Sequence, residues 1–496
     1  MGSMYIMAID QGTTGSRVTI LNQAGSPVVH ASEEFPQIFP KPGWVEHNPE
    51  DIWKSVKSTA TKALAQAKIS GNQIAAIGIT NQRETVLLWD KSTGKAIHHA
   101  IVWQDRRTHD FCEKLKKDRK QNLIRKKTGL VIDPYFSGSK VRWLLKNVSG
   151  ALDQARRGNL LAGNIDTFLL WRLTGGQTHK TDVTNASRTM LMNIQTGDWD
   201  EELLKLFSVP RQILPEICDS SGTFGKTSGL DFLPDGIPIA GIAGDQQAAL
   251  FGQTCFAVGE AKCTYGTGSF LLMNTGSKLV ASKHQMLTTI AWKLPKQKMT
   301  YALEGGAFIC GAAVQWLRDG LQIISKSSEV EELARQVSSS EGVEFVPALT
   351  GMGAPYWKPE ARGLISGLTR GSTKAHLARA TLEAMALQNT EILLAMERDL
   401  GKKLKGLRVD GGASANNLLM QMQADYMGTS VTRPKQIETT SIGAAYLAGL
   451  GVGYWSNLDE IKRIWMIDQE FKSHMSVSSR KTRLQQWQKA VGYQLS

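Results

Sequence analysis

The stretch MAIDQGTTGSRVTI, residues 7–20, is the part of this chain that decides its fold. An apolar run ends in Asp10, a turn rich in Gly and Thr follows, and a second strand-like run begins after the turn. Backbone N–H groups and hydroxyls in a tight glycine turn suit phosphate oxygens, and a carboxylate beside them suits Mg²⁺. The same residue types also form an ordinary hairpin turn. Taken alone, this stretch leaves a phosphate-binding hairpin and a plain β-hairpin equally open.

The plain β-hairpin becomes the less favoured interpretation because the glycine-rich turn between two strands recurs about half a chain later. Residues 259–273 read GEAKCTYGTGSFLLM, and the GTGS at 266–269 is a near-copy of the GTTGS at 12–16. Each copy lies between two strand-like runs. Two similar halves that each present a hydroxyl-rich glycine turn predict a duplicated domain that holds a polyphosphate between its copies.

A third glycine-rich element, LRVDGGASANN at 407–417, follows a strand-like run and opens a run of helical period. A strand that ends in a glycine turn at the N-terminus of a helix suits an anion or a nucleotide. A tight strand-to-helix connection explains this element equally well. The three elements together favour a nucleotide-binding enzyme.

Composition limits the class of protein. A length of 496 residues indicates two domains or more, and 42% apolar with 21% charged residues is ordinary for a globular protein. No run approaches the roughly 18 apolar residues of a membrane span, so we expect no integral membrane segment. The five cysteines show no metal-ligand spacing and predict reduced thiols in the cytoplasm.

The chain is basic, with a formal net charge of +13. The densest basic run, 114–127, has the apolar spacing of an exposed amphipathic helix. It has no interleaved aromatic residues on which bases could stack. We therefore expect a solvated face and no nucleic-acid partner.

Alternating patterns predict the organisation along the chain. Strands are expected at 74–80, 237–244 and 406–410, and helices at 50–68, 110–127, 307–324 and 374–400. Strands mixed with long helices indicate an α/β protein. The second glycine-turn motif starts soon after residue 253, which predicts domains at 1–253 and 254–496 that touch closely around a cleft. From Trp455 onward the chain is more polar and is expected to form a weakly patterned C-terminal extension.

Two further stretches carry a family resemblance. They are YFSGSKVRWL at 135–144 and the segment from Gly363 to Glu383, which contains GLISGL, HL and ATLE. With the three glycine-rich elements, they resemble the carbohydrate kinases built on the actin-like ATPase fold, over nearly the whole chain up to about residue 455. The resemblance implies an α/β protein with two similar actin-like or ribonuclease H-like ATPase domains. Mixed sheets flanked by helices would lie around an interdomain cleft.

Within that family, four segments imply glycerol as the acceptor: NQRET at 81–85, VWQDRR at 102–107, DPY at 133–135 and GDQQ at 244–247. The resemblance further implies ATP as the phosphoryl donor, Mg²⁺ as its partner, and a homodimer or homotetramer. The acceptor-binding residues it implies are Arg83, Glu84, Trp103, Tyr135, Asp245, Gln246 and Phe270.

The chemistry of a small triol agrees with that set, because three hydroxyls need donors and acceptors and the carbon chain needs an apolar wall. Arg83 and Glu84 offer a donor fork beside an acceptor, and Trp103 and Phe270 offer the wall. Each residue also has a plainer interpretation. The two aromatic side chains could belong to the core, Arg83 and Glu84 could form a surface ion pair, and Asp245 could cap a helix.

The resemblance also implies the reactive groups. Asp245 is the expected general base, and Asp10 is the expected Mg²⁺ ligand. The nucleotide-binding residues implied are Thr13, Thr14, Gly15 and Arg17 in the first domain, and Thr267, Gly311, Gln315, Gly412 and Asn416 in the second. Glycine at 412 fits a site where backbone must approach a nucleotide closely.

Two other functions stay open at this point. One is a kinase of the same fold that acts on a pentitol or a ketopentose. The other is an actin-like ATPase or scaffold that binds a nucleotide and a protein partner without a polyol substrate. A substrate panel and the dependence of ATP turnover on polyol distinguish the three.

Overall fold

The computed structural model describes residues 4–495 and is built from two large sheets with helices around them. The strands are β1 (Tyr5–Gln11), β2 (Gly15–Leu21), β3 (Pro27–Glu34), β4 (Glu46–His47), β5 (Ile74–Asn81), β6 (Val86–Asp90), β7 (Ala100–Ile101), β8 (Leu160–Asn164), β9 (Lys180–Asp182), β10 (Met192–Asn193), β11 (Asp198–Trp199), β12 (Glu216–Cys218), β13 (Ser221–Lys226), β14 (Pro238–Gly244), β15 (Glu260–Tyr265), β16 (Ser269–Gly276), β17 (Leu287–Trp292), β18 (Thr300–Ala307), β19 (Glu344–Val346), β20 (Leu364–Ser366), β21 (Gly406–Asp410), β22 (Val431–Pro434) and β23 (Ile467–Phe471).

The helices alternate with these strands, as an α/β protein requires. They are α1 (Pro49–Ala67), α2 (His109–Lys117), α3 (Gln121–Thr128), α4 (Ser137–Asn147), α5 (Ala151–Arg156), α6 (Ile165–Leu173), α7 (Val183–Ala186), α8 (Glu201–Phe207), α9 (Asp245–Gly252), α10 (Gly311–Asp319), α11 (Glu329–Ala334), α12 (Lys374–Leu400), α13 (Asn417–Met427), α14 (Thr439–Gly451), α15 (Leu458–Ile464) and α16 (Val477–Leu495).

The first sheet has six strands in the order β13-β14-β5-β1-β2-β3. Strands β1, β2 and β3 form an antiparallel meander, and β5 and β14 add in parallel beside β1. Strand β13 closes the other edge antiparallel to β14. The central strands β1, β5 and β14 are apolar except for polar residues at the carboxyl ends of β1 and β5, because helices cover both faces of the sheet.

The second sheet repeats this topology in the order β17-β18-β16-β15-β21-β22-β23. Its β15, β16 and β18 form the antiparallel meander, β21 and β22 add in parallel beside β15, and β23 closes antiparallel to β22. Strand β17 is an addition at the meander edge. The duplication and the actin-like fold class expected from the sequence are confirmed, whereas the division at residues 253 and 254 stays a prediction.

Helices α9 and α14 join the two sheets. Helix α9 follows β14 and helix α14 follows β22, and each of these strands is the third parallel strand of its sheet. Helix α14 packs on strands of the first sheet, whereas α9 packs against β15, β16 and β17 of the second. The two helices touch through glycine. A Cβ on Gly443 would overlap the carbonyl oxygen of Ala248, and one on Gly252 would overlap that of Thr439. Close backbone contact therefore requires glycine at both positions.

The chain between β5 and β14, together with β4, forms an extra lobe around a small sheet in the order β4-β7-β6-β8. Its core contains the buried side chains of Phe136 just before α4, Phe207 on α8 and Met190 in the turn after α7. This lobe places residues 82–85, 103 and 135 beside the carboxyl edge of the first sheet.

The sequence-based expectations for three segments need correction. The basic run at 110–127 forms two helices because α2 ends in a Schellman-type turn, in which Lys120 N donates to Leu115 O and Arg119 has a φ of 56°. The helix expected at 307–324 is shorter: β18 continues to Ala307 by pairing with Ser269, and α10 ends before Gly320.

The C-terminal extension also differs from its expected weak patterning. Strand β23 extends the second sheet, and α16 docks on α12 with the Trp487 indole fully buried. The indole N–H donates to Glu391 at 2.7 Å. The segment therefore contributes to the second core, because one buried tryptophan supplies more contact area than its polar composition suggests.

Candidate active site

The predicted reactive groups of the first half lie at one edge of the first sheet. Register pairs Asp10 on β1 with Thr80 on β5, and Ala243 on β14 with the same Thr80. These three strands are parallel, so their carboxyl ends align. Arg83 and Asp245 each follow such an end within a few residues, which places them beside Asp10.

Arg83 is the centre of the contacts at this edge, and its side chain is only 2% exposed. Its Nε lies 3.1 Å from Asp245 Oδ1, and its Nη2 lies 3.4 Å from the Tyr135 hydroxyl. Its Nη1 and Nη2 donate to Glu304 at 2.7 and 2.9 Å, and Nη1 also donates to Gln247 Oε1 at 3.2 Å. Arg83 and Glu84 are therefore not a surface ion pair.

Two charged residues of this cluster, Arg188 and Glu304, were not among the residues predicted from the sequence. Arg188 donates through Nε to Glu84 Oε1 at 2.6 Å, and both of its Nη atoms donate to Glu304 at 3.0–3.1 Å. Arg188 follows α7 and Glu304 lies on β18, and neither position stands in a recognisable motif. Full burial of Arg188, at 0% exposure, is the signal that only the folded chain provides.

The buried charges shift one another's pKa. Burial alone would raise the pKa of Glu304, but the Arg188 and Arg83 guanidinium groups lower it to about 2. Burial raises the pKa of Glu84, and Arg188 and Arg83 oppose that rise. Glu84 also has a φ of 61°, a left-handed conformation that is uncommon for a non-glycine residue.

Asp245 is the first residue of α9, and Gly244 occupies the capping position. Its Oδ1 accepts from the N–H of Gln246, the second residue of the helix, at 2.7 Å. Asp245 therefore satisfies one N–H of the first helical turn without occupying the N-cap position, so the plainer interpretation accounts for part of its role. The Gln246 side chain is buried and accepts from the Lys262 ammonium group through Oε1, so it points away from solvent.

The three predicted aromatic residues are half-buried and do not belong to the core interior. The Trp103 and Tyr135 rings meet edge to face at 5.6 Å. Phe270 on β16 pairs with Gly306, and Leu272 two residues on pairs with Glu304, so Phe270 and Glu304 share one face of the second sheet. These placements are compatible with an apolar wall.

Lys140, on α4, fixes the turn that carries Tyr135. Its ammonium group is fully buried and donates to the carbonyl oxygens of Pro134, Tyr135 and Phe136 at 2.5–3.2 Å. Burial lowers the pKa of Lys140 to about 8. This interaction explains why a lysine stands within the 135–144 motif.

The first glycine turn is closed by a bond from Gly12 N to Gly15 O at 2.8 Å. Thr14 at its tip is exposed, and the Thr13 hydroxyl accepts from the Trp103 indole N–H at 2.9 Å. Arg17 does not point freely into the cleft, because it pairs with Glu438 at the start of α14. The phosphate-binding roles of Thr13, Thr14, Gly15 and Arg17 stay predictions.

Asp10 fits its expected role as a Mg²⁺ ligand. Among residues 4–495, none donates a hydrogen bond to its carboxylate. Burial raises the pKa of Asp10 to about 7, Arg17 opposes the rise and Asp245 adds to it. A divalent cation reverses such a shift, and Mg²⁺ in nucleotide sites takes one or two carboxylates with phosphate oxygens and water.

The second glycine turn lies against the N-terminus of α10. Gly266 N donates to Gly268 O at 2.9 Å, and the Thr267 carbonyl accepts from Cys310 and Ala312 N–H groups at 2.8 and 3.1 Å. A Cβ on Gly311 would lie 2.7 Å from Gly266 O, which explains the glycine. The Thr267 and Gln315 side chains are exposed, and Gln315 shares one helix face with Gly311.

The third element opens next to that turn, since Thr264 and Asp410 pair on the parallel strands β15 and β21. Gly411 has a φ of 83° and touches the Tyr265 backbone, whereas a Cβ on Gly412 would meet nothing within 4 Å. Gly412 therefore borders open space where a ligand could lie. Asn416 caps α13 by accepting from Leu419 N at 2.9 Å, a structural role additional to the predicted one.

This arrangement defines a two-domain phosphotransferase site, and family comparison agrees. The model of the FGGY family of carbohydrate kinases, N-terminal domain, matches residues 5–252, and the model of the C-terminal domain matches residues 261–452. The chain belongs to the FGGY family of carbohydrate kinases.

The chain is also similar to individual proteins over almost its full length. The chain is 68% identical to a glycerol kinase of Bdellovibrio bacteriovorus over 489 residues, which cover 99% of both proteins. It is 56% identical to a glycerol kinase of Deinococcus radiodurans, with 98% of this chain and 97% of the relative covered.

Solved structures give the same result. A Plasmodium falciparum glycerol kinase with ADP superposes with a TM-score of 0.94 at 39% identity, covering 100% of this chain and 99% of that one. A gluconate kinase from Lactobacillus acidophilus superposes with a TM-score of 0.88 at 23% identity, over 99% and 98% of the two chains, which shows the shared fold alone. Across residues 4–495, no helix combines the length and the apolar character that a membrane crossing demands.

Proposed function

We propose that this protein transfers the γ-phosphoryl group of MgATP to a terminal hydroxyl of glycerol, giving sn-glycerol 3-phosphate and ADP. The observation that carries the proposal is the convergence of Arg83 on Asp245 and Tyr135, at the sheet edge that also holds Asp10. The full-length relatives at 56–68% identity are glycerol kinases and support the same substrates.

Asp245 is the proposed general base. Its carboxylate is a third exposed, so an acceptor hydroxyl can reach it. The Arg83 guanidinium group holds the carboxylate in place through Nε. A loose transition state for phosphoryl transfer lets proton removal come late, so positioning of the hydroxyl matters most.

The remaining groups bind and orient the substrates. Arg83 and Glu84 meet acceptor hydroxyls, Tyr135 adds a hydroxyl, and Trp103 and Phe270 flank the carbon chain. Backbone N–H groups and hydroxyls of the two glycine turns meet the phosphates, and Gly412 and Asn416 border the nucleoside. Asp10 would hold Mg²⁺, which when bound neutralises charge on the β- and γ-phosphate oxygens.

Closure of the two halves completes the site and excludes water, which could otherwise accept the phosphoryl group. The packing of α9 against α14 supports closure as a rotation about these two helices. The cytoplasmic location and the homodimer or homotetramer remain predictions.

The test is ADP release with MgATP, with and without glycerol, followed by a panel containing a pentitol and a ketopentose. We expect strong turnover with glycerol and weak turnover with the others. Turnover chiefly with a pentitol or ketopentose would reassign the substrate. ATP turnover that no polyol increases would support the ATPase or scaffold alternative instead.

A further inference from the structure

Glu304 is a carboxylate of the second half that binds two arginines of the first half. It lies on β18 and accepts from Arg83 at 2.7 and 2.9 Å and from Arg188 at 3.0 and 3.1 Å. Both carboxylate oxygens are used twice. Such bidentate pairing fixes the plane of each guanidinium group as well as its position.

The cluster is balanced in charge. Arg83 and Arg188 carry two positive charges, and Glu84 and Glu304 carry two negative ones. Their side chains are 2%, 0%, 1% and 3% exposed, respectively. Removing Glu304 would leave two buried guanidinium groups with only Glu84 and the partly exposed Asp245 as carboxylate partners, which low-dielectric surroundings disfavour.

This pairing determines which atoms remain for a ligand. Because Glu304 takes the Nη edge of Arg83, the Nε edge faces Asp245 and Nη2 reaches towards Tyr135. Because Arg188 Nε takes Glu84 Oε1, the other oxygen of Glu84 has no donor among residues 4–495. Glu84 is thus held through one oxygen with the other available, and Arg83 is held at its Nη edge with its Nε edge turned to Asp245.

We propose that Glu304 and Arg188 are positioning residues for the acceptor site: Glu304 orients Arg83 directly and orients Glu84 through Arg188, so that a prochiral triol binds in a single orientation. The inference rests on the proposed function and adds to it the part that controls which end of glycerol reacts. It also makes the acceptor site depend on the second half, which supplies Glu304.

The experiment compares wild type with Glu304→Gln. Glutamine keeps the shape and one acceptor oxygen, but its amide N–H₂ faces guanidinium donors. We expect KM for glycerol to rise about a hundredfold, as for loss of a buried charged partner, while KM for ATP changes less than about twofold. The second readout is stereochemical: the fraction of product that a stereospecific sn-glycerol-3-phosphate dehydrogenase oxidises should fall below one.

Loss of active protein lowers total turnover but cannot change the enantiomer ratio, so this ratio separates positioning from stability. Glu383→Gln is a matched control, because Glu383 on α12 is a buried carboxylate that also accepts from two arginines, Arg379 and Arg483. We expect its product ratio to equal that of wild type. If Glu304→Gln does not fold, Glu304→Asp keeps the charge and should show the same two changes on a smaller scale.

The double variant Glu304→Gln with Arg188→Gln restores charge balance without restoring the contacts. We expect it to regain thermal stability but not stereochemical purity. Wild-type KM for glycerol with a single enantiomer in Glu304→Gln would overturn the inference, as would recovery of purity in the double variant. Failure of wild type itself to use glycerol would overturn the proposed function, and the inference with it.

Discussion

The indole N–H of Trp103 donates to the Thr13 hydroxyl at 2.9 Å. The bond joins the predicted wall of the acceptor site to the predicted phosphate-binding turn, 90 residues apart in the chain. Thr13 is also held from the other side, since Gln37 Nε2 donates to its carbonyl at 3.1 Å. The turn and the acceptor wall therefore form one bonded unit.

Trp103→Phe tests this unit, because phenylalanine keeps an aromatic wall and removes the donor. Loss of one hydrogen bond worth about 1 kcal/mol should lower kcat/KM about fivefold in steady-state assays. Trp171→Phe is the control, since Trp171 on α6 is half-buried and its ring packs against that of Trp89 on β6. Equal effects of the two substitutions would show that the bond to Thr13 does not matter.

Asp245→Asn should abolish the base and keep the shape. The asparagine oxygen can still accept from Arg83, so glycerol binding should be nearly unchanged. General-base catalysis contributes about 10²–10⁴-fold, and kcat should fall by that factor in the ADP-release assay. Asp231→Asn, at an exposed carboxylate paired with Lys57, should retain full activity. Near-normal kcat in Asp245→Asn would exclude the base role.

Lys140→Met should act through Tyr135. Removing the ammonium group leaves three carbonyl oxygens at the Tyr135 turn without their donor, so the hydroxyl loses its position. We expect KM for glycerol to rise about tenfold, in line with one to two kcal/mol for the lost charged hydrogen bonds, with KM for ATP unchanged. Arg83→Ala removes a predicted direct contact with glycerol, so its rise in KM for glycerol sets the upper limit for the effect of Lys140→Met.

The control for that experiment is Lys127→Met, which removes a lysine paired with Asp200 and Glu202 elsewhere in the inserted lobe. It should leave both KM values unchanged. A parallel rise of the ATP and glycerol KM values in Lys140→Met would indicate general disruption and not a role at Tyr135.

His47 should make stability depend on pH. Burial lowers the pKa of His47 to about 4 from 6.5, so between these values the unfolded chain binds a proton that the folded chain does not. Unfolding free energy from this residue is therefore lost as pH falls from 6.5 towards 4, by about 2 kcal/mol between pH 7 and pH 5. Well above pH 6.5, His47 is neutral in both the folded and the unfolded chain, so it does not make the unfolding free energy depend on pH.

His47→Gln removes this dependence while an amide can still bond to Gln37 or Gln82, the two neighbours of the imidazole. Denaturant midpoints at pH 7 and pH 5, at constant ionic strength, should differ less for the variant than for wild type. The same difference in both proteins would place the lost stability at other groups.

Gly443→Ala should separate α14 from α9. The added methyl group would overlap the Ala248 carbonyl oxygen, and overpacking typically costs about 1–3 kcal/mol. Gly492→Ala is the opposite case, because a Cβ there meets nothing within 4 Å in α16, so it should stabilise by about 0.4–1 kcal/mol. Thermal midpoints of the two variants should therefore move in opposite directions.

Local patterns in the sequence determined much of this protein. The two glycine turns, the strand into Asp245 and the strand into Gly411 could be predicted because turn chemistry and side-chain period act over a few residues. Asp10, Arg83 and Asp245 each stand at or just after the end of a predicted strand, but they meet at one edge because β1, β5 and β14 are parallel neighbours, which the sheet order decides. Three predictions were wrong. A helix-ending turn divides the segment 110–127, strand pairing extends β18 to Ala307, and the segment after Trp455 adds β23 and α16 to the second half.

Only the tertiary structure decided how these parts are held. Glu304 is 221 residues from Arg83 and stands in an ordinary strand, Arg188 follows a short helix, and α14 crosses to the first sheet. No periodicity marks such residues, because their role depends on burial and on partners far away in the chain. The sequence indicated the groups that we predict meet the substrate, and the fold supplied the opposite charges and the glycine contact that hold them in place.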